Sequence, residues 1–228
     1  MSKKNGVGAV IVAAGESKRM GGQDKLFAPL GGEPLLARVI DAFDSCPAIE
    51  QIVVVIRDEK LAETRRMILG HDWSKEIDTC TGGERRQDSV KAGLEHLNKC
   101  EWVVIHDGAR PLVTPDLIDL GLKTAAETGV AVAAMPVTDT IKVAGGDRIV
   151  QYTPTRESLW AVQTPQVFRS DIINKAYHRL KEDVTDDASL VEKMGHQVKL
   201  YRGSYDNIKV TTPEDLALAE VLWQKRQA

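Results

Sequence analysis

Short apolar runs alternate along this chain with stretches patterned at helical period. Val7–Ala14 (VGAVIVAA) is continuous and closed by Gly15, the pattern of a strand buried on both faces. Ile52–Ile56 (IVVVI), Ile77–Thr81, Trp102–Ile105 (WVVI) and Val130–Val137 (VAVAAMPV) read as further strands, with another near Gln197–Tyr201. Between them, Pro34–Phe43, Glu59–Leu69, Asp88–Leu97 and Pro115–Glu127 read as helices, with Pro34 suited to a first turn. Helical patterns return at Asp171–Leu180, Asp186–Met194 and Pro213–Trp223. This alternation predicts βαβ units and a parallel sheet. Asp139–Tyr152 breaks it. That segment is half polar, has Gly145-Gly146-Asp147 at its turn, and predicts a projecting hairpin. Such an arm has little to bury itself against, which points to a partner subunit.

Composition narrows the function classes. The 228 residues fit one domain, 1–228, with the arm at about 138–158. A net charge of -3 argues against a general nucleic-acid binder but leaves room for a local cationic site. No apolar stretch approaches the ~18 residues of a membrane span, and no signal-peptide pattern follows the N-terminal lysines. Cys46, Cys80 and Cys100 have no metal spacing and read as reduced thiols, mainly buried apolar groups. The expectation is a cytoplasmic protein with no membrane and no nucleic-acid partner.

The candidate chemistry lies in loops. Ala13-Ala14-Gly15-Glu16-Ser17-Lys18-Arg19-Met20-Gly21-Gly22-Gln23-Asp24-Lys25 follows the first strand, where an α/β sheet places its ligand. Glycines let backbone N–H groups approach phosphate oxygens, and Lys18, Arg19 and Lys25 bring positive charge. This is not a Walker A loop, since Gly15 and Gly21 are six apart and Gly22 stands at the lysine position. It is not a dinucleotide fingerprint either, because Gly6-Val7-Gly8 precedes the strand and Ile11 takes the third glycine position. Alone, such a loop suits a solvated surface equally well.

Three more clusters follow later strands: Gly82-Gly83-Glu84-Arg85-Arg86-Gln87-Asp88-Ser89, His106-Asp107-Gly108-Ala109-Arg110-Pro111 and Asp206-Asn207-Ile208-Lys209-Val210-Thr211. Loops after parallel strands gather at one edge, so the four clusters should form one anionic site. Asp107, at a strand end facing a triphosphate, is the candidate Mg²⁺ ligand, with a turn-capping role as the alternative. His106 would point to the other side of its strand and reads as structural. His71, His96, His178 and His196 have no metal spacing. No Ser–His–Asp or Cys–His arrangement is evident. An attacking phosphate monoester, with a second pKa of ~6, is already an anion at pH 7. Positioning and positive charge then suffice without a general base.

At these motifs the sequence resembles the 2-C-methyl-D-erythritol 4-phosphate cytidylyltransferases of the non-mevalonate isoprenoid pathway, over nearly the whole chain. The marks are Ala13-Ala14-Gly15 with Lys18-Arg19-Met20, Gly82-Gly83 through Asp88-Ser89-Val90, His106-Asp107-Gly108-Ala109-Arg110-Pro111 and Val137-Thr138-Asp139-Thr140-Ile141-Lys142. Leu159-Trp160 with Gln163-Thr164-Pro165-Gln166, Thr185-Asp186-Asp187-Ala188 and Asn207-Ile208-Lys209-Val210-Thr211 complete them. The resemblance implies a Rossmann-like three-layer α/β nucleotidyltransferase fold, with a mostly parallel sheet, helices on both faces and the hairpin arm. It implies CTP and a polyol phosphate as substrates, a divalent cation such as Mg²⁺ on Asp107, and a homodimer exchanging its arms.

By the same resemblance, Arg19 and Lys25 stabilise the α-phosphate during transfer. Ala13, Ala14, Gly15, Gly82, Gly83, Glu84, Arg86 and Ser89 surround the nucleotide, and Arg110, Thr140, Arg156, Thr185 and Lys209 hold the sugar phosphate. Thr140 and Arg156 would serve the partner's site. The chain departs from the family where Asp24-Lys25-Leu26 replaces the frequent Pro-Lys-Gln, where Arg85 and Arg86 stand for one arginine, and in Pro154-Thr155-Arg156-Glu157-Ser158. A ribitol 5-phosphate cytidylyltransferase shares most of these features, but Gly108-Ala109 and Leu159-Trp160-Ala161 favour methylerythritol phosphate. A regulatory nucleotide binder without catalysis would be expected to lack Arg19, Lys25 or Asp107, and all three are present. A flavodoxin-like carrier leaves the basic loops unexplained.

Overall fold

The computed structural model describes residues 6–15, 24–179 and 183–227. In chain order the elements are β1 (Val7–Val12), β2 (Pro29–Leu30), β3 (Glu33–Pro34), α1 (Leu35–Asp44), β4 (Ile49–Ile56), α2 (Asp58–Leu69) and β5 (Glu76–Thr81). They continue with α3 (Arg86–His96), β6 (Trp102–Asp107), α4 (Pro115–Thr128), β7 (Val130–Pro136), β8 (Val143–Ala144) and β9 (Val150–Tyr152). Last come β10 (Trp160–Arg169), α5 (Ser170–Arg179), α6 (Asp187–Lys193), β11 (Lys199–Arg202) and α7 (Pro213–Gln227).

Among the described residues a seven-stranded sheet runs in the order β11-β7-β10-β6-β1-β4-β5. The apolar runs alternate between its two faces. Ala9, Ile11, Ile52, Val54 and Val104 join one core with Leu36 and Ile40 of α1, Ile118 of α4 and Ala219 of α7. Val10, Val53, Val55 and Ile105 join the other with Val90 of α3, Ile172 of α5 and Leu190 of α6. Strands buried on both faces need no polar side, which is why they read as unbroken apolar runs. Sheet and helix approach closely at Gly93, where a Cβ would lie 2.4 Å from Val10 Cγ1.

The sequence pattern missed β10. This strand is antiparallel to both its neighbours, β6 and β7, in a sheet that is otherwise parallel. Gln163, Thr164 and Pro165 interrupt its apolar character, so WAVQTPQVFR does not alternate like the other strands. The register shifts between Val162 and Gln166, so Pro165 sits outside the ladder and its missing N–H breaks no strand pairing. The peptide bond Thr164–Pro165 is cis.

The arm is a hairpin as expected, with β8 and β9 antiparallel and Arg148 at φ 63° in the turn. Ile141, Ile149, Val150 and Tyr152 on it are exposed. Cys46 and Cys80 are buried and Cys100 is half-buried. Burial pushes the Cys80 thiol up to about 11. No described helix is long and apolar enough to cross a membrane.

Candidate functional site

Because every strand of the large sheet except β10 points the same way, the segments following β1, β4, β5, β6 and β11 meet at one rim. A cavity of about 590 Å³ opens there. Its lining includes Ala13, Ala14, Gly15, Lys25, Gly83, Glu84, Arg86, Ser89, Asp107 and Lys209. Ten of the residues read from sequence as nucleotide, catalytic, metal or sugar-phosphate groups are thus brought together. Gly82 stands just behind them. A Cβ on Gly82 would lie 2.4 Å from the Ala14 Cβ and 2.6 Å from Ser89 Oγ, so only glycine lets the first and second loops pack this closely. Ser89, itself buried, accepts the Gly83 N–H at 3.2 Å and holds that loop to the start of α3.

Asp107, at the end of β6, is the electrostatic centre. Its Oδ1 accepts from Arg86 Nε and from the Arg86 terminal nitrogen, each at 3.3 Å. Its Oδ2 pairs with Lys209 Nζ at 2.8 Å and with Arg110 Nε at 3.8 Å. Burial alone would raise this carboxyl, but the charges of Arg86, Lys209 and Arg110 outweigh it and hold it well below the usual carboxylate range. Burial opposes the charge on Arg86 in turn, yet Asp187 and Asp107 raise its pKa and keep it a cation. The other side of the Arg86 guanidinium donates to Asp187 Oδ2 at 2.8 Å, and Tyr177 donates its hydroxyl to Asp187 Oδ1 at 2.5 Å.

A second cavity, of about 500 Å³, adjoins the first and shares Arg86, Asp107 and Lys209 with it. Arg110 and Thr185, which the resemblance assigns to the sugar phosphate, both line this second space. Arg110 is steered there by donating to the Asn207 carbonyl at 2.7 Å, while the buried Asn207 side chain donates to the Thr164 carbonyl at 2.8 Å. Thr140 and Arg156 are not brought to either cavity. Both are exposed on the arm segment, where Arg156 donates to the Thr138 carbonyl at 3.1 Å. Arg19 and Lys18 lie outside the described residues.

His106 plays the structural part read for it. It is fully buried beside Phe43, with ring centroids 5.3 Å apart. Its Nε2 lies 3.1 Å from the Arg110 carbonyl, which can only accept, so that nitrogen bears the proton. Nδ1 is then the acceptor for the Thr164 hydroxyl at 3.1 Å, and Thr164 Oγ1 accepts the Asp107 N–H at 3.0 Å. Burial lowers the imidazole to about 4, so it stays neutral.

The structure also separates the adjacent arginines. Both line the first cavity, but Arg86 pairs with Asp107, whereas Arg85 pairs with Asp88 at 2.8 Å and with Asp183 at 2.5 Å. Three residues had no role in the sequence reading: Asp187, Tyr177 and Arg57. Asp187 lay inside a recognised motif, but its partner Arg86 is remote in sequence. Arg57 follows a strand directly, and that position was the available signal.

The family model described as IspD, 2-C-methyl-D-erythritol 4-phosphate cytidylyltransferase, matches residues 7–225. The chain belongs to this family. A relative of that name from Dehalococcoides mccartyi is 52% identical over 219 residues, covering 96% of each chain. Another, from Caldanaerobacter subterraneus, is 46% identical over 96% of this chain and 99% of its own. Among solved structures, 4-diphosphocytidyl-2C-methyl-D-erythritol synthase from Anaerococcus prevotii superposes with a TM-score of 0.87 at 29% identity, over 96% of this chain and 99% of that one. The 2-C-methyl-D-erythritol 4-phosphate cytidylyltransferase of Thermus thermophilus has a TM-score of 0.77 at 31% identity, with the same coverage. Family membership makes the chain a nucleotidyltransferase.

Proposed function

We propose that this enzyme transfers the cytidylyl group of CTP to 2-C-methyl-D-erythritol 4-phosphate, releasing pyrophosphate, with the two cavities holding nucleotide and sugar phosphate. The observation that carries the reading is the single carboxylate, Asp107, shared by both cavities and ringed by Arg86, Lys209 and Arg110. Cations that converge on the junction of two pockets are what two phosphate-bearing substrates need in order to approach each other.

The methylerythritol phosphate oxygen attacks the α-phosphorus of CTP, a new P–O bond forms, and the bond to the β-phosphate oxygen breaks with pyrophosphate leaving. The attacking monoester is an anion at pH 7 because its second pKa is ~6. No general base is needed, and the neutral, buried His106 offers none. Lys25 and Arg19 spread the charge that develops on the α-phosphoryl oxygens. Arg110, Thr185 and Lys209 orient the sugar phosphate.

A divalent cation such as Mg²⁺ fits this donor set. Among the described residues no group of three or more His, Cys, Asp or Glu could hold a metal by itself. One rim carboxylate matches an ion that takes its other ligands from substrate phosphates and water. Bound there, the cation would neutralise triphosphate charge.

The arm supports a homodimer. Its Ile149, Val150 and Tyr152 are left exposed by their own chain, and Thr140 and Arg156 would complete the partner's sugar-phosphate pocket. The same reading places the enzyme in the cytoplasm. Pyrophosphate release is measured with CTP and either methylerythritol phosphate or ribitol 5-phosphate. Faster turnover of ribitol 5-phosphate would overturn the substrate assignment.

A further inference from the structure

One charged side chain on the rim has no part in the chemistry above. Arg57 follows β4 directly and lines the same cavity as Lys25. Its Nη1 pairs with Glu59 at 2.9 Å, and its Nη2 faces Asp24 Oδ2 at 3.5 Å. Lys60, in the first turn of α2, brings its ammonium to 3.6 Å from the same oxygen and to 5.0 Å from the Phe27 ring centroid. The other oxygen of Asp24 accepts the Leu26 N–H at 3.1 Å. One carboxylate therefore closes the turn that contains Lys25 and also ties that turn to the start of α2.

Inside the turn the backbone adds two long hydrogen bonds, Phe27 N–H to Asp24 O at 3.2 Å and Ala28 N–H to Lys25 O at 3.3 Å. The carbonyls of Leu26 and Ala28 accept the Leu36 and Leu35 N–H groups at 2.9 Å and fasten its later half to α1, leaving the Asp24 end to its side-chain contacts. Side chains 27% and 14% exposed make the Arg57–Asp24 pair a modest contributor to global stability. Its geometric consequence is larger. Asp24 is covalently next to Lys25, so wherever the Asp24 carboxylate is held, the Lys25 backbone is held too. Asp24 Oδ2 and Arg57 Nε are both buried without a hydrogen-bond partner, so the contact is an ion pair with hydrogen-bonding capacity left on both sides.

We infer that Asp24 and Arg57 are positioning residues for Lys25, acting through this ion pair to aim its ammonium at the phosphate chain. The inference rests on the assignment of Lys25 to the α-phosphate. A catalytic charge misplaced by about 1 Å can lose up to about a hundredfold in rate, so an ion pair that adds little stability can still govern turnover.

The test measures kcat and both KM values for Asp24→Asn, which keeps an acceptor for the Leu26 amide, and for Arg57→Met. Each is made singly, together and in a Lys25→Met background, with rates normalised to folded protein by circular dichroism. Each single change should lower kcat about tenfold with both KM values within about twofold, and the double variant should be no slower than the worse single. Arg57→Lys should restore most of the rate, and neither change should slow Lys25→Met further. Wild-type kcat in Asp24→Asn and Arg57→Met, beside a crippled Lys25→Met, overturns the inference and leaves the Lys25 assignment standing. A raised KM for CTP at unchanged kcat overturns it too, making Arg57 a direct contact of the triphosphate. Additive slowing, in the double variant or in the Lys25→Met background, likewise overturns it. An unimpaired Lys25→Met removes the Lys25 assignment and the inference with it.

Discussion

Lys209 Nζ lies 2.8 Å from Asp107 Oδ2, which brings a residue from beyond the edge strand β11 onto the carboxylate at the end of β6. With Arg86 on the other oxygen, Asp107 is held ionised and pointed at the junction of the two cavities. On the proposed function, phosphates arriving there would take over the cations and leave the carboxylate to hold a divalent cation. Asp107→Asn should therefore lower turnover by about 10²–10³ and move the midpoint of the Mg²⁺ titration upward. Initial rates against Mg²⁺ concentration check this, and an unchanged midpoint would assign Asp107 to capping.

Lys25→Ala and Arg19→Ala should each reduce kcat by about 10²-fold or more while CTP binding weakens far less. Their charge is needed most when the α-phosphoryl oxygens are most negative. Steady-state kinetics with varied CTP separate the two effects. A higher KM at full kcat would make them ordinary binding residues.

Arg156→Ala should raise KM for the sugar phosphate and leave the fold intact. If arms are exchanged, mixing Arg156→Ala with Lys25→Ala subunits creates one site with both residues in each mixed dimer. Random reassortment then restores about a quarter of the wild-type rate. Mixtures that stay as slow as either parent would place the site within one chain.

Asp187 is fully buried and shared by Arg86 and Tyr177. Asp187→Asn removes the countercharge of a guanidinium that burial already disfavours, and should cost about 2 kcal/mol in urea unfolding. Tyr177→Phe removes only one hydrogen bond and should cost less.

His106 gives a pH signature. Burial lowers its pKa from the ordinary 6.5 to about 4, so the unfolded chain binds the extra proton first as pH falls. Stability is therefore complete above about pH 6.5 and declines toward pH 4, by up to about 3 kcal/mol. His106→Gln should flatten that decline in denaturant midpoints measured across this range. Asp107, with its depressed pKa, adds its own loss only below the normal carboxylate range.

Local pattern made much of this molecule legible. The unbroken apolar runs of β1, β4 and β6 announced strands covered on both faces, and the glycine and basic clusters after strands announced a common rim. Lys25, Arg86, Asp107 and Lys209 stand out on that ground and do line one cavity. The strand β10 was not legible, because Thr164 and Pro165 break its alternation and its partners β6 and β7 are distant in sequence.

The order of residues is enough to say which segments are strands and helices and which loops follow them, since burial on a periodic element leaves its mark at short range. It took the folded chain to show that Arg86 rather than Arg85 pairs with Asp107, that Asp187 pairs with the same guanidinium, and that Arg57 meets Asp24 beside Lys25. Each of these depends on strand order and on charges meeting across large sequence separations, where a few ångströms choose the partner and no local repeat encodes the choice.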